Sequence, residues 1–107
     1  MSASVKPSNM TVEAMHRNVE SAVSVLKGMA SQNRLLLLCQ LSQGECAVGE
    51  LADRLELSQS VVSQHLSLLR REGMVTGRRD AQSIFYRICD SRVLALMQTM
   101  FDQFCRA

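Results

Sequence analysis

Residues 57–75 read LSQSVVSQHLSLLRREGMV, and this stretch decides the fold. Ser58 stands where a helix N-cap belongs, because a serine hydroxyl can accept from a first-turn amide. Behind it Val62, Leu66 and Leu69 recur at helical spacing, with Val61 and Leu68 on the flanks, which predicts a helix over 59–72. Gly73 suits the residue that ends it. The other face offers Gln59, Ser60, Ser63, Gln64 and His65. The period then changes. Residues 74–79 and 83–88 read as two strands, the second alternating strong strand formers, around the short polar tip Asp80-Ala81-Gln82.

Upstream, Val48, Leu51, Ala52 and Leu55 form the inner face of a short helix over 47–55, joined to the next by a tight connection. Before it, 32–42 holds Leu35 to Leu38, Cys39 and Leu41 behind a capping Ser31, and Gly44 closes it. A helix apolar on nearly every side is expected to be buried on nearly every side. The first helix, 11–29, carries one stripe of Met15, Val19, Ala22, Val23 and Leu26, with Gly28 loosening its end. The last, 91–105, places Val93, Leu94, Met97, Met100, Phe101 and Phe104 on one broad face.

The order ααααββα predicts a mainly α fold with a small β-hairpin: a winged helix-turn-helix. Residues 1–9, with the only proline, read as a flexible arm, and 10–107 as one domain. A chain of 107 residues suits one domain. It buries only about two-thirds of its unfolded surface, so a lone copy is modestly stable. The first and last helices carry apolar stripes with little of their own to cover. A homodimer interface through Met15, Val19, Val23, Leu94, Met97, Phe101 and Phe104 is the economical answer.

The net charge of +2 is too small to signal nucleic acid by itself. Its placement says more. Residues 58–87 hold Arg70, Arg71, Arg78, Arg79 and Arg87 against Glu72 and Asp80. The surplus therefore sits on the fourth helix and the hairpin, the elements that would meet double-stranded DNA. Gln pairs bidentately with adenine and Ser serves several bases. Arg78 and Arg79, beside the wing tip with Gln82, suit phosphate or minor-groove contact. A solvated helix face would show the same Ser and Gln residues; the capped helix, adjoining hairpin and localised arginines together favour DNA. His65 reads either as a base contact or as a half-buried packing residue.

These residues resemble the ArsR-type (ArsR/SmtB) winged-helix repressors of bacteria. The resemblance runs through Leu57 to Leu66, Leu69 to Val75, Arg78 to Tyr86 and, upstream, Leu26 to Leu35, and covers about residues 20–105. It implies a homodimeric repressor that leaves its operator when an inducer binds. The family's thiolate metal box, Glu-Leu-Cys-Val-Cys-Asp-Leu, is matched here by Glu45-Cys-Ala-Val-Gly-Glu-Leu51, with Ala47 and Gly49 at the ligand positions. Ala47 also replaces a Ser that usually caps the third helix. The zinc-type positions on the last helix hold Asp90, Arg92, Gln103 and Arg106. One ligand does not make a zinc site, which needs about three or four.

Cys39 and Cys105 instead match the paired cysteines of the persulfide-responsive branch, the BigR, SqrR and HlyU type. The resemblance implies that these two thiols sense reactive sulfur species (persulfide or polysulfide) and become covalently linked through sulfur, with no other cofactor. Peroxide oxidation of the same pair is the alternative. So is a metal-responsive repressor with a non-standard site such as Cys39, Cys46 and Cys105. Cys46 and Cys89 have no motif support and read as packing residues. No secretory h-region stands at the N-terminus and no apolar run is long enough to span a membrane, so a cytoplasmic bacterial protein with reduced thiols is expected. Enzyme activity is not expected: there is no Cys-x-x-Cys, no glycine-rich phosphate loop, and no nucleophile beside His16 or His65.

Overall fold

The computed structural model describes residues 11–105, so the expected arm over 1–9 lies outside the described residues. Five α-helices and three strands follow in the order α1 (Val12–Met29), α2 (Gln32–Leu41), β1 (Cys46–Ala47), α3 (Val48–Leu55), α4 (Gln59–Arg71), β2 (Val75–Asp80), β3 (Ser83–Ile88) and α5 (Ser91–Met100). A π-helical turn, Phe101–Cys105, completes the last helix. The architecture is the expected winged helix-turn-helix, with two additions.

The first addition is β1. It pairs with β3 in the register Cys46↔Tyr86 and Ala47↔Phe85, so the hairpin is part of a three-stranded antiparallel sheet in the order β1-β3-β2. The second is the change of pitch at Phe101. Where one regular helix to residue 105 is expected, the chain widens for its last turn. Such π-turns recur at functional sites.

Local chemistry explains the elements. Thr11, Ser31 and Ser58 each accept a backbone amide at the start of a helix, from Ala14, Arg34 and Val61. Ala47 has no side-chain acceptor for α3, yet half of a capping box survives: the Glu50 carboxylate accepts the Ala47 N–H at 3.1 Å. Gly73 adopts φ +78 and lets α4 turn directly into the sheet. Gly28 serves packing rather than loosening. A Cβ there would meet Met74 Cε and come within 2.8 Å of Glu72 Oε1, so glycine lets α1 sit on the α4–β2 junction without displacing those side-chain ends.

Leu37, Leu38, Leu51, Val62, Leu66, Leu69, Val93 and Met97 have no exposed surface and form the centre of the core. Each such burial contributes about 1.5–3 kcal/mol. Met97 is thus a correction: expected at a dimer interface, it is sealed inside its own chain and supports that face from beneath. The α2 expectation also needs revision. Leu37, Leu38 and Leu41 are buried, but Leu35 is half-buried and Leu36 stays 37% exposed, because α5 covers only part of that side. The α1 stripe is open along its length: Val12, Met15, Val19, Val23 and Leu26 are all exposed. Among the described residues no helix is long and apolar enough to cross a membrane.

Candidate functional site

The fold brings two thiols together from opposite ends of the chain. Cys39 lies in the last turn of α2, and Cys105 ends the π-helical turn after α5. Their Sγ atoms are 3.8 Å apart, close enough for one thiol to share its proton with the other. Both sulfurs are free. They line a cavity of about 320 Å³ whose other walls are Gln32, Leu35, Leu36, Met97, Met100 and Phe104. Burial pushes the Cys39 thiol up from its ordinary pKa, and the neighbouring Cys105 adds to the shift. Cys39 is therefore held as the thiol at neutral pH. Cys105 is solvent-exposed and open to reagents.

The separation bears on what can close the pair. A disulfide needs S–S near 2.05 Å, so the sulfurs must approach by roughly 1.8 Å. An inserted sulfur atom asks for less movement. The gap is not wide enough by itself to forbid a disulfide.

The other two cysteines have different surroundings. Cys46 is buried on β1, where Arg54 Nη1 donates to its Sγ at 3.4 Å, and burial pushes its thiol up. Cys89 is exposed, and its Sγ donates to the Gly73 carbonyl at 3.4 Å. The non-standard set of Cys39, Cys46 and Cys105 is not assembled: among the described residues no three His, Cys, Asp or Glu side chains gather in a metal-holding group.

The face proposed for DNA is laid out on α4 and the wing. Gln59, Ser60, Ser63 and Gln64 are exposed along α4, and Arg70 is exposed at its end. His65 is half-buried, and its Nδ1 is buried without a hydrogen-bond partner. Between α4 and the wing lies a cleft of about 410 Å³, lined by Ala47, Gly49, Gln59, Ser63, Gln82 and Ile84 among others. The small residues at 47 and 49 help to keep it open. Arg79 and Gln82 are exposed on the wing.

Arg78 departs from expectation. Its Nε and Nη2 donate to Glu45 at 2.9 and 2.7 Å, its Nη1 lies 3.7 Å from Asp80, and its guanidinium stacks over Phe85 at 5.0 Å. The hydrogen-bonded arginine holds the Glu45 carboxyl below its usual range. In this structure Arg78 is paired with Glu45 while its side chain stays 55% exposed. Glu45 is a residue that the sequence reading passed over. Its only signal was an acid just before the third helix.

The expected interface residues fall in two groups. Met15, Val19 and Val23 are exposed on α1, and Phe104 is 77% exposed beside the thiols. Leu94 and Phe101 are half-buried on the last helix. Arg92, at the start of α5, donates to Ser21 Oγ on α1 at 2.9 Å, fixing the two helices to each other.

Comparison with known proteins gives a consistent picture. The family model described as "Bacterial regulatory protein, arsR family" matches residues 31–76. The transcriptional activator HlyU of Vibrio cholerae is 44% identical over 96% of this chain and 95% of its own. Its reduced form superimposes with a TM-score of 0.84, at 44% identity, over 89% of this chain and all of that one. The biofilm growth-associated repressor of Agrobacterium fabrum is 39% identical over 86% of this chain and 79% of its own. A homodimeric winged helix-turn-helix domain from Mycobacterium bovis, at 27% identity, superimposes with a TM-score of 0.69 over 85% of this chain and 84% of that one.

Proposed function

The chain belongs to the arsR family of bacterial regulatory proteins and is a transcriptional regulator, and from that premise we propose a homodimeric repressor released from DNA when reactive sulfur links Cys39 to Cys105. Its relatives are named as regulators, not enzymes. The observation that carries the sulfur reading is the 3.8 Å contact between the two free thiols.

The exposed Cys105 is the first nucleophile. Its thiolate attacks the terminal sulfur of a persulfide RSSH, forming Cys105–S–SH and expelling RS⁻. A second equivalent converts Cys39 in the same way. The Cys39 persulfide then attacks Cys105 Sγ, expelling hydrogen sulfide and leaving a trisulfide. Two thiols and two RSSH thus give one trisulfide, two RSH and one H₂S. Oxidation of the thiol pair is matched by reduction of sulfane sulfur, so no further oxidant enters.

The bridge ties the end of α2 to the end of the chain beyond α5. The helix-turn-helix packs on the first of these, and the proposed dimer interface includes the second. A dimeric reader needs its two recognition helices at a fixed half-site spacing. A bridge that favours a different spacing lowers DNA affinity by that preference alone.

Disulfide formation by peroxide is the second reading, favoured by the same short contact. DNA binding by wild type, Cys39→Ser and Cys105→Ser, with persulfide, glutathione disulfide, peroxide and metal ions in parallel, separates the readings. Release by persulfide in wild type only, with extra sulfur between the two peptides by mass spectrometry, is the expected result. A response that survives both substitutions sinks the dithiol switch.

A further inference from the structure

We infer that Glu45 is a positioning residue for DNA recognition: it holds Arg78 as a strut that sets the wing, so that Arg79 rather than Arg78 carries the phosphate contact. The sheet register separates the two arginines. Arg78 pairs with Phe85, and Phe85 with Ala47, so these three residues share one face of the sheet. Arg79 pairs with Ile84, and successive strand residues point to opposite faces. Ile84 shares its face of the sheet with the buried Val75, Tyr86 and Ile88. Arg79 therefore stands in the row that continues the core face of the sheet, and Arg78 in the opposite row with Phe85 and Ala47.

The contacts of Arg78 agree with that placement. Glu45 takes two of its N–H groups at 2.9 and 2.7 Å, and its guanidinium plane covers Phe85. Bidentate pairing fixes direction as well as distance. Glu45 immediately precedes β1, whereas Arg78 lies halfway along β2, on the far side of β3. The pair thus crosses the middle strand and ties the wing to the segment leading into the helix-turn-helix. Moving Arg78 to a phosphate would break both hydrogen bonds and leave the Glu45 carboxylate without them.

The inference rests on the DNA-binding reading, and salt dependence tests it. The probe is a labelled duplex selected by the wild-type protein from a random-sequence pool, titrated over a range of salt with wild type, Glu45→Gln, Arg78→Gln, Arg78→Lys, Arg79→Gln and the Glu45→Gln/Arg78→Gln double variant. Thermal melts confirm that each is folded. A phosphate contact contributes about 0.9 to the slope of log affinity against log salt. Arg79→Gln should lose about that slope per protomer. Both Arg78 variants and Glu45→Gln should keep the wild-type slope while binding about two- to fivefold more weakly, the range for exposed ion pairs. The double variant should bind no worse than either single one, because the two residues act as one unit. A lower slope in Arg78→Gln, tighter binding by Glu45→Gln, or additive losses in the double variant would overturn the inference. A wild type that selects no duplex would overturn the DNA-binding reading and this inference with it.

Discussion

Cys39 Sγ and Cys105 Sγ touch at 3.8 Å although 66 residues separate them in the chain. Their surroundings differ, and the difference sets an order of reaction. Burial holds Cys39 protonated above the usual cysteine range, whereas Cys105 is open to solvent. The thiolate is the reactive form, so a raised pKa slows Cys39 at neutral pH and moves its ionisation upward. Peptide-resolved alkylation of the reduced protein should therefore show Cys105 modified first near pH 7. The Cys39 rate should still be climbing above pH 9, beyond the midpoint of about 8.5 for a free cysteine. A Cys39 rate that levels off near that midpoint would show that its burial is not maintained in solution.

The α1 stripe sets the second expectation. Met15 and Val19 are each 52% exposed on the apolar stripe of α1, whose buried residues lie only near its C-terminal end. In a dimer that buries them, Val19→Glu leaves an unpaired carboxylate in an apolar contact. The cost is about 3 kcal/mol or more, over a hundredfold in the dimerisation constant. Sedimentation should show the variant as a monomer with an unchanged circular dichroism spectrum and much weaker DNA binding. A Val19→Glu dimer as tight as wild type would place the interface elsewhere.

The parts legible in the sequence were those whose cause is local. Ser58, the Val62–Leu66–Leu69 spacing and Gly73 specify α4 within one short segment, and the hairpin follows from the change of period. The parts that escaped depend on distant partners. β1 is two residues long and exists only because β3 pairs with it. Arg78 read as a DNA residue because its acceptor, Glu45, lies 33 residues earlier. Met97 read as interface because one broad stripe on α5 serves both the core and the open surface, and periodicity does not say where one ends. The proximity of Cys39 and Cys105 came from family resemblance and from no spacing rule. The π-helical turn that delivers Cys105 has no sequence signal that we can identify.

Ala47 offers a route to greater stability. It occupies the N-cap of α3 with extended geometry, φ −84 and ψ 159, but contributes no acceptor. Glu50 already reaches back to its N–H. Ala47→Ser would complete the reciprocal box by accepting the Glu50 amide. The expected gain is about 1 kcal/mol, which raises Tm by roughly 4–8 °C in a domain of this size. Calorimetry checks it. No rise, or a fall, would mean that the half-box with Glu50 already satisfies the helix start.

Asp90 makes stability depend on pH in a defined direction. Its carboxylate caps α5, accepting the Arg92 N–H at 2.8 Å, and also accepts from Arg92 Nε and Nη2 at 3.2 and 2.8 Å. These bonds lower its pKa from 3.8 to about 2, the side-chain bond to Arg92 contributing most. The folded state then binds fewer protons than the unfolded state between those values. The contribution is fully present above the unfolded value and disappears as pH falls through about 2. Asp90→Ala should cost about 1 kcal/mol at pH 7, the usual size for a lost cap. The gap between wild type and variant should narrow below pH 4 and be nearly closed at pH 2. Asp90→Asn keeps a capping oxygen but cannot ionise, so it should recover part of the stability at pH 7 without that pH dependence. Urea titrations of the three proteins across this range decide the matter, and a gap between wild type and Asp90→Ala that stays constant down to pH 2 would show that the carboxylate's charge contributes nothing.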